Sequence, residues 1–205
     1  MMESFLNKVK LLCKKMIVSE QEVYLVKNVC DDVDSPDLIL GGGYSVKTID
    51  SLNAQDVERF RCLVNNAYED ANYTYSKARS LLLEHPFLTN TETIIFFEGV
   101  IPIATISYGL YRNNPEVGGC FRIAVQKDQR KKGIGSKMVR FAERQLVTNK
   151  KVYKIMETIK YKRTPSLLMH FKLGYIPMDY KDVPFKRAQK RVIAFYDKWK
   201  THETR

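Results

Sequence analysis

Residues 119–136, which read GCFRIAVQKDQRKKGIGS, decide the fold. They begin as an apolar run that ends at Val125, pass through a basic segment that contains Gly133 and Gly135, and lead into Ile134–Val147, where apolar residues recur at helical spacing. The apolar run predicts a strand and the spacing predicts a helix. A strand, a basic glycine loop and a helix in this order predict a turn whose backbone N–H groups can approach an anion.

The residues of this loop fit two nucleotide-binding motifs poorly. A Walker loop requires G-x-x-x-x-G-K, which the chain lacks, and a dinucleotide fingerprint requires a third glycine where Met138 stands. Glu157 follows downstream as a ribose-binding acid would, but the long basic stretch before Gly133 is unlike the abrupt dinucleotide turn. The simplest alternative is a tight strand-to-helix turn with solvated lysines, and a single G-x-G would not exclude it.

A second motif, His170-Phe-Lys-Leu-Gly174-Tyr175, lies about forty residues after the loop. The first motif, Arg130-x-x-Gly133-x-Gly135, resembles the R/Q-x-x-G-x-G/A acyl-CoA motif of the GNAT superfamily of N-acetyltransferases. The second resembles the Y-x-K-x-G-F signature of the same superfamily, in the expected order and at the expected distance. Two motifs in the expected order are stronger evidence than one. The resemblance extends from Tyr44 to about Trp199.

The resemblance implies an α/β (α+β) fold with a GNAT-like mixed, mostly antiparallel central sheet flanked by helices. The acidic, Pro-containing segment 31–37 and the triplet Gly41–Gly43 interrupt any regular element and mark a boundary. We therefore expect an N-terminal extension at 1–43, with a short helix and a strand, and a GNAT acyltransferase domain at 44–205.

Periodicity and turn residues predict the individual elements. Asn53 is the expected cap of a helix, and Pro102 predicts an edge or a bulge in its strand. In chain order the predicted elements are a basic helix at Glu3–Met16, strands at Gln21–Val29 and Tyr44–Ile49, helices at Ala54–Tyr68 and Ser76–Glu84, a hairpin of Thr93–Phe97 and Val100–Leu110, strands at Gly119–Val125 and Val152–Thr158, a helix at Ser166–Leu173 preceded by Thr164-Pro165, strand residues Tyr175 and Ile176, and a final strand at Val192–Trp199.

The resemblance implies acetyl-CoA as co-substrate and assigns its contacts. The backbone of Ile123, Ala124 and Val125 would pair with the pantetheine arm. The pyrophosphate would be wrapped by the loop residues Arg130, Lys131, Lys132, Gly133, Ile134, Gly135 and Ser136. The expected reaction is direct transfer of an acetyl group to a primary amine of a small molecule or a protein. The alternative is a non-catalytic GNAT-fold module that binds CoA or nucleic acid.

Acyl transfer also requires an oxyanion partner and groups that move protons. The family's strand that bears Val125 splays from the next strand, and the Val125 amide would polarise the thioester carbonyl. His170 stands in place of the family's tyrosine acid, and an unperturbed histidine pKa of about 6.5 suits that role. The alternative is a helix-end histidine that only packs.

The family's glutamate base would fall near Gly119, so that carboxylate is missing. Glu116 and Glu157 are substitutes, of which Glu157 is preferred because it ends a strand that enters the cleft. The alternatives are that Glu157 is a surface carboxylate or the partner of a nearby lysine, and that a water chain takes the place of a base. Cys120 is expected to be a small core residue, since no adjacent base is evident.

The acceptor would lie against Tyr68, Glu69, Asp70, Tyr73 and Tyr75, between the first two helices. Tyrosines and carboxylates there can bind a cationic amine. A solvated helix end with half-buried tyrosines is the alternative, so the acceptor stays open.

Composition narrows the remaining partners. The net charge of +11 favours a polyanion, but few aromatic residues interleave the basic run, which disfavours single-stranded nucleic acid. Four scattered cysteines suggest neither zinc nor disulfides, so no metal is expected. Lysines interrupt the apolar N-terminal stretch, which predicts a cytoplasmic protein without membrane insertion. A homodimer is left open.

Overall fold

The computed structural model describes residues 22–29, 43–68, 71–184 and 186–203. These residues form two units: a larger one, Val26–Glu157, and a smaller one that joins residues 22–25 to Thr158–Arg205. The predicted helix at Glu3–Met16 and the predicted boundary segment at 31–37 lie outside the described residues. The proposed division between residues 43 and 44 stays a prediction.

The larger unit is built on a mixed sheet. Its strands are β2 (Tyr44–Thr48), β3 (Leu88–Glu98), β4 (Ile101–Tyr111), β5 (Asn114–Val125) and β6 (Lys154–Lys160), with β1 (Glu22–Asn28) next to β6. Neighbours from β2 to β5 pair antiparallel, and β5 pairs with β6 in parallel. Strands β1 and β6 each continue past the boundary between the units.

The predicted hairpin is present as β3 and β4, and its two-residue turn consists of Gly99 and Val100, with Gly99 in the left-handed conformation at φ 58°. The pairing shifts from Phe96↔Ala104 to Phe97↔Pro102, which leaves one residue of β4 unopposed. Because proline has no N–H to give to the ladder, an irregularity at this position is expected. The predicted bulge is confirmed.

Three helices accompany this sheet: α1 (Ala54–Ala67), α2 (Tyr75–Leu83) and α3 (Ile134–Lys150). The Asn53 side chain accepts the N–H groups of Gln55 at 3.0 Å and Asp56 at 3.2 Å, which confirms it as the cap of α1. The predicted apolar face of α1 is buried and shares a core with Ala124 of β5.

The helices lie on both faces of the sheet. A Cβ atom at Gly118 would lie 2.8 Å from Cδ1 of Leu146, so this side of β5 faces α3. Phe121, three residues later, points to the other face, where its ring lies 4.2 Å from that of His85, just after α2. The predicted mixed, mostly antiparallel sheet flanked by helices is thus confirmed.

The smaller unit contains α4 (Thr164–Lys172), β7 (Ile176–Pro177) and α5 (Lys186–Glu203). Pro165 lies in the first turn of α4, as predicted. The helix ends at Gly174, with φ 88°, where the N–H of Tyr175 bonds to the carbonyl of His170 at 3.0 Å. Strand β7 follows, and the Met178 N–H bonds to the Tyr24 carbonyl of β1 at 3.0 Å.

The predicted final strand at Val192–Trp199 is wrong, because these residues belong to helix α5. Val192, Phe195, Tyr196 and Trp199 recur at intervals of three and four, which is the spacing of one helical face. Val192 is buried, and the other three rings lie around Phe171. Their β-branched and aromatic side chains favour a strand. The segment forms a helix because a helix packs all four of them on one face.

Candidate active site

The loop after β5 has a backbone conformation that creates a concave turn. A single 3-10 turn at Lys127–Gln129 follows the strand, and two residues beyond it are left-handed: Lys131 with φ 64° and Gly133 with φ 77°. For a lysine that conformation costs about 1–2 kcal/mol. Alternation of right- and left-handed residues turns successive N–H groups toward one point, where an anion can bind.

Helix α3 begins with an open N-terminus directly after this turn. Its cap residue is Gly133, no side chain caps it, and its first turn contains no acidic residue. The first intrahelical bond runs from the Lys137 N–H to the Gly133 carbonyl at 3.1 Å. The preceding N–H groups, including those of Gly135 and Ser136, therefore have no acceptor within the helix. The helix dipole adds positive potential at the same place.

The three basic side chains of the loop differ in their surroundings. Arg130 is turned back onto the fold: its Nε donates to the Val125 carbonyl at 3.3 Å, and its Nη2 donates to the Ala67 carbonyl at the end of α1. Lys131 and Lys132 are exposed, and Nζ of Lys132 bonds to Gln129 at 2.8 Å. Arg130 therefore shapes the loop, while the lysines are available at its rim.

The strand that leads into the loop bends at a bulge. Pairing with β4 runs from Ser107↔Phe121 to Thr105↔Ala124, and Arg122 within the interval has φ 54°. The Ile123 carbonyl already accepts the hydroxyl of Tyr68 at 2.6 Å. Of the residues expected to contact pantetheine, Ala124 is buried, whereas Ile123 and Val125 are half-buried.

Strands β5 and β6 part after a short pairing. The register contains two pairs, Val117↔Lys154 and Gly118↔Ile155, although β5 continues to Val125. At the next position the Cys120 N–H bonds to the Glu157 carboxylate, at 2.9 Å, instead of a backbone carbonyl. A side chain thus takes the place of the ladder, and a gap begins between the parallel strands.

Glu157 lies on the α3 side of this gap. It follows Ile155 by two residues, and Ile155 pairs with Gly118, which faces α3. Glu157 is 2% exposed. The pKa of Glu157 is raised to about 8, chiefly by burial. Hydrogen bonds from Cys120 oppose this rise, and the nearby Glu143 of α3 contributes to it. The carboxyl group therefore holds its proton at neutral pH.

Glu143 and Cys120 complete this buried cluster. Glu143 forms an ion pair with Lys27 of β1 at 2.9 Å through one oxygen. Cys120 is fully buried, and desolvation raises the pKa of its thiol well above the ordinary value, with Glu157 adding to the effect. A thiol that keeps its proton is a poor nucleophile, which agrees with the expected core role of Cys120.

On the opposite side of the gap lies a residue that the sequence analysis missed, Tyr111. Its ring lies over Gly119, and its hydroxyl donates to the Met156 carbonyl of β6 at 3.4 Å. The signal was the Gly118-Gly119 pair inside a strand, because such glycines mark a close approach of another group.

A family model identifies the chain. The model for the acetyltransferase (GNAT) family matches residues 57–175, which is more than half of the sequence. The chain belongs to the GNAT family. No curated protein sequence matches it significantly.

Solved GNAT structures share the fold. The chain resembles the GCN5-related N-acetyltransferase from Sphaerobacter thermophilus with a TM-score of 0.60 at 13% identity, over 77% of this chain and 48% of that one. It resembles the tandem GNAT protein from the clavulanic acid biosynthesis pathway with a TM-score of 0.56 at 12% identity, over 76% of this chain and 50% of that one. The chain thus spans about half the length of these two proteins.

An aminoglycoside acetyltransferase, meta-AAC0020 from an uncultured soil metagenomic sample, is similar over 65% of this chain and 88% of its own. Its TM-score is 0.52 and its identity 12%. At such identities the likeness is one of fold alone. Members of the GNAT family are acetyltransferases, and the choice of acceptor has to be argued from this chain's own residues.

His170, which takes the place of the GNAT tyrosine, is completely buried in the smaller unit. Its Nδ1 lies 2.7 Å from the Ser166 carbonyl, and since a carbonyl can only accept, Nδ1 carries the proton. Its ring packs edge-on against Tyr175 at 5.1 Å. These contacts match the packing alternative, and the acid role stays a prediction.

The residues expected to form the acceptor wall are described in part. The Tyr68 hydroxyl is bonded to Ile123, Tyr73 is half-buried and bonded to Asn65, and Tyr75 is exposed at the start of α2. Glu69 and Asp70 lie outside the described residues. These contacts also match the alternative of a solvated helix end with half-buried tyrosines, so the acceptor role of these residues stays a prediction.

Arg122 and His85 border this wall. Arg122 donates to the carbonyls of Leu81 and Glu84, and burial lowers its pKa to about 10. Burial and the charges of Arg122 and Arg112 lower the pKa of His85 to about 4. His85 lies in the loop between α2 and β3, and its neutral Nδ1 accepts the Leu88 N–H at 3.1 Å.

Glu116, the other carboxylate considered as a base, is exposed near the start of β5. No helix among residues 22–29, 43–68, 71–184 and 186–203 has the length and apolar run that crossing a bilayer requires. Within the same residues no three metal-binding side chains converge.

Proposed function

We propose that this GNAT protein is an acetyl-CoA-dependent N-acetyltransferase that transfers an acetyl group directly to a primary amine of a small molecule or a protein. One observation carries the proposal: a turn with two left-handed residues opens onto an uncapped helix N-terminus, at the end of a strand that has left its parallel neighbour. The turn suits a diphosphate and the gap suits a narrow arm.

Each predicted cofactor residue has a part in this proposal. The N–H groups around Gly133, Ile134, Gly135 and Ser136 bind the pyrophosphate oxygens. Lys131 and Lys132 neutralise its charge, and Arg130 keeps the loop closed against α1. Ile123, Ala124 and Val125 align the pantetheine arm, and a backbone amide at Val125 stabilises the oxyanion that forms on the thioester carbonyl.

Glu157 and His170 remain the proposed base and acid. With a pKa of about 8, Glu157 becomes a base only as the pH rises through that value, so the rate is expected to rise in the same range. Glu157 is buried on the α3 side of the gap between β5 and β6. A proton from the amine would therefore reach Glu157 through this gap. Replacement of Glu157 by Gln should remove this pH dependence.

The test is thiol release from acetyl-CoA with a panel of amines, beside calorimetry with CoA at low salt. Wild-type protein should bind CoA and release thiol. Gly135→Glu places a carboxylate against the pyrophosphate and should weaken CoA binding at least about 100-fold, which corresponds to about 2.7 kcal/mol. Thr148→Glu adds the same charge near the other end of α3 and serves as the matched control. Unchanged CoA affinity in Gly135→Glu would rule out the loop assignment.

A second candidate is a GNAT module that binds CoA without catalysis. The packed state of His170 and the glycine at position 119 favour it, because neither expected side chain is positioned as in the family. Such a module would bind CoA with the same dependence on Gly135 but would release no thiol with any amine.

A further inference from the structure

The bulge in β5 places a guanidinium group, that of Arg122, on the face of the sheet where α2 lies. Neighbouring residues of a regular strand point to opposite faces, which would separate Arg122 from Phe121. Here Arg122 has φ 54°, and its guanidinium lies over the Phe121 ring, 4.8 Å from the ring centroid. That backbone conformation is strained for a residue with a side chain, and such strain recurs at functional sites. The bulge thus redirects one charged side chain toward α2.

The guanidinium is anchored at the C-terminal end of α2. Its Nη1 donates to the Leu81 carbonyl, and its Nη2 donates to the Glu84 carbonyl at 3.5 Å. Arginine has more N–H groups than these two bonds use, and the remaining ones have no acceptor within the described part of the chain. The end of a helix carries roughly half a negative charge, so part of the positive charge stays uncompensated.

The surroundings of Arg122 have a positive potential. Burial lowers the pKa of Arg122 to about 10, and the groups in the described ranges that favour its charged form are Tyr73 and Tyr68, not a carboxylate. Burial and the charges of Arg122 and Arg112 lower the pKa of His85 to about 4. A half-buried guanidinium beside a second arginine and a neutral histidine is suited to bind an anion.

This anion site lies within reach of the proposed reaction centre. Arg122 precedes Val125 by three residues, which is at most about 10 Å along a strand. The Val125 amide is where the thioester carbonyl is proposed to bind. One small molecule can span that interval, with its amine at the thioester and an anionic group at the guanidinium.

We propose that the acceptor is an amino acid whose carboxylate binds to Arg122, and that this contact selects it over amines without a carboxylate. The inference rests on the proposed acetyl transfer. The acetyl group passes from the CoA sulfur to the amine nitrogen, the amine gives up a proton, and CoA leaves as the free thiol. The carboxylate does not react. Its paired hydrogen bonds with the guanidinium orient the acceptor, and the same positive potential disfavours a polycationic acceptor.

Pairs of acceptors that differ only in the carboxylate test the proposal. Thiol release from acetyl-CoA would be compared for lysine and cadaverine, and for phenylalanine and phenethylamine. In the pair that reacts faster, we expect kcat/KM to be at least about 10-fold higher for the amino acid, which is within the range for a hydrogen bond to a charged group.

Arg122→Gln removes the charge and should lower kcat/KM for that amino acid about 30-fold. For the partner amine without the carboxylate, the change should stay below about threefold. A purely structural role of Arg122 at α2 would lower both values equally, so the ratio of the two is the readout. Arg79→Gln removes the same charge from an exposed position of α2 and should leave the ratio unchanged. CoA affinity should stay within about twofold of wild type in both variants.

Arg122→Lys is the second variant, because it keeps the charge and loses the paired geometry. It should keep part of the preference for the amino acid, with a loss of about fivefold in kcat/KM. If Arg122→Gln does not fold, this variant decides the question by the same ratio.

Two results would overturn the acceptor assignment and leave the proposed transfer intact. One is equal kcat/KM for the amino acid and its partner amine in both pairs. The other is a preference for the amino acid that neither Arg122→Gln nor Arg122→Lys reduces. If wild-type protein binds CoA but releases no thiol with these amines, kanamycin or poly-lysine, the proposed transfer fails and the assignment fails with it. The two failures are therefore distinguishable.

Discussion

Burial of the Glu157 carboxyl group disfavours its ionised form. Its pKa is about 8 in the folded protein and close to 4.5 in the unfolded chain. A raised pKa means that the folded state binds the proton more tightly. The stabilising contribution is therefore complete below about pH 4.5 and is lost as the pH rises toward 8. In that interval one proton corresponds to a slope of about 1.4 kcal/mol per pH unit.

Glu157→Gln should remove this slope, because the amide cannot ionise yet its oxygen can still accept the Cys120 N–H. Urea unfolding at pH 5, 6, 7 and 8 would measure it. We expect wild-type stability to fall relative to Glu157→Gln as the pH increases. Glu116→Gln, at an exposed carboxylate of β5, should follow wild type. Parallel stability curves for wild type and Glu157→Gln would contradict the raised pKa.

Single residues show where sequence reasoning stopped. It placed Glu157 in the strand that enters the gap, and the strand exists. It could not show that the carboxyl is buried toward α3, because that depends on the register between β5 and β6. Tyr111 was missed because its partners, Gly119 and Met156, come from two other strands. Spacing along one chain does not reveal a contact across three strands.

Elements were easier to predict where their periodicity was unambiguous. The hairpin, the capped α1 and the loop before α3 follow from alternation, Asn53 and the glycines. Helix α5 could not be predicted in this way, because its β-branched and aromatic residues favour a strand locally. Tertiary packing overrides this local preference. The buried polar residue Gln189 shows this as clearly as the buried apolar residues of α5 do.

Gln189 fixes α5 to β1 and to the residue that follows β7 in the smaller unit. It is fully buried, its Oε1 accepts the Tyr24 N–H, and its Nε2 donates to the carbonyls of Tyr24 and Met178, each at 2.8 Å. Gln189→Leu would leave the Tyr24 N–H and the Met178 carbonyl without this partner, whereas the Tyr24 carbonyl still accepts the Met178 N–H. Each unsatisfied group costs about 1–3 kcal/mol when buried, so we expect a loss of at least about 2 kcal/mol in chemical denaturation.

Arg191→Leu, at an exposed position two residues further along α5, is the matched control and should change stability by less than about 0.5 kcal/mol. Gln189→Glu is a second comparison, because it keeps the acceptor but loses the donor to the carbonyls. Its loss of stability should lie between those of Arg191→Leu and Gln189→Leu. If the glutamate is buried in its charged form, the loss should exceed that of Gln189→Leu. A near-neutral Gln189→Leu would mean that the three hydrogen bonds do not hold the helix.

At the scale of the whole molecule, the net charge of +11 attracts any polyanion, so charge alone cannot distinguish a cofactor from nucleic acid. The loop geometry adds a second criterion, because backbone N–H groups that converge on one point form a directional anion site, whereas the surface lysines attract phosphates from any direction. Specific binding to the folded state raises its stability by RT ln(1 + [L]/Kd). CoA at one hundred times its Kd should add about 2.7 kcal/mol.

For a chain of this length that stabilisation corresponds to a rise in Tm of about 5–10 °C. Differential scanning fluorimetry with CoA, and separately with a duplex DNA oligonucleotide, would measure it at low and at physiological salt. We expect the shift with CoA to persist at physiological salt, because the loop contacts are directional and partly shielded. A shift with DNA, if present at low salt, should vanish as counterions compete for the surface lysines. Gly135→Glu should lose the CoA shift and keep any effect of DNA, since one loop residue hardly alters the overall charge. A salt-resistant shift with DNA and none with CoA would instead make the basic surface the functional site.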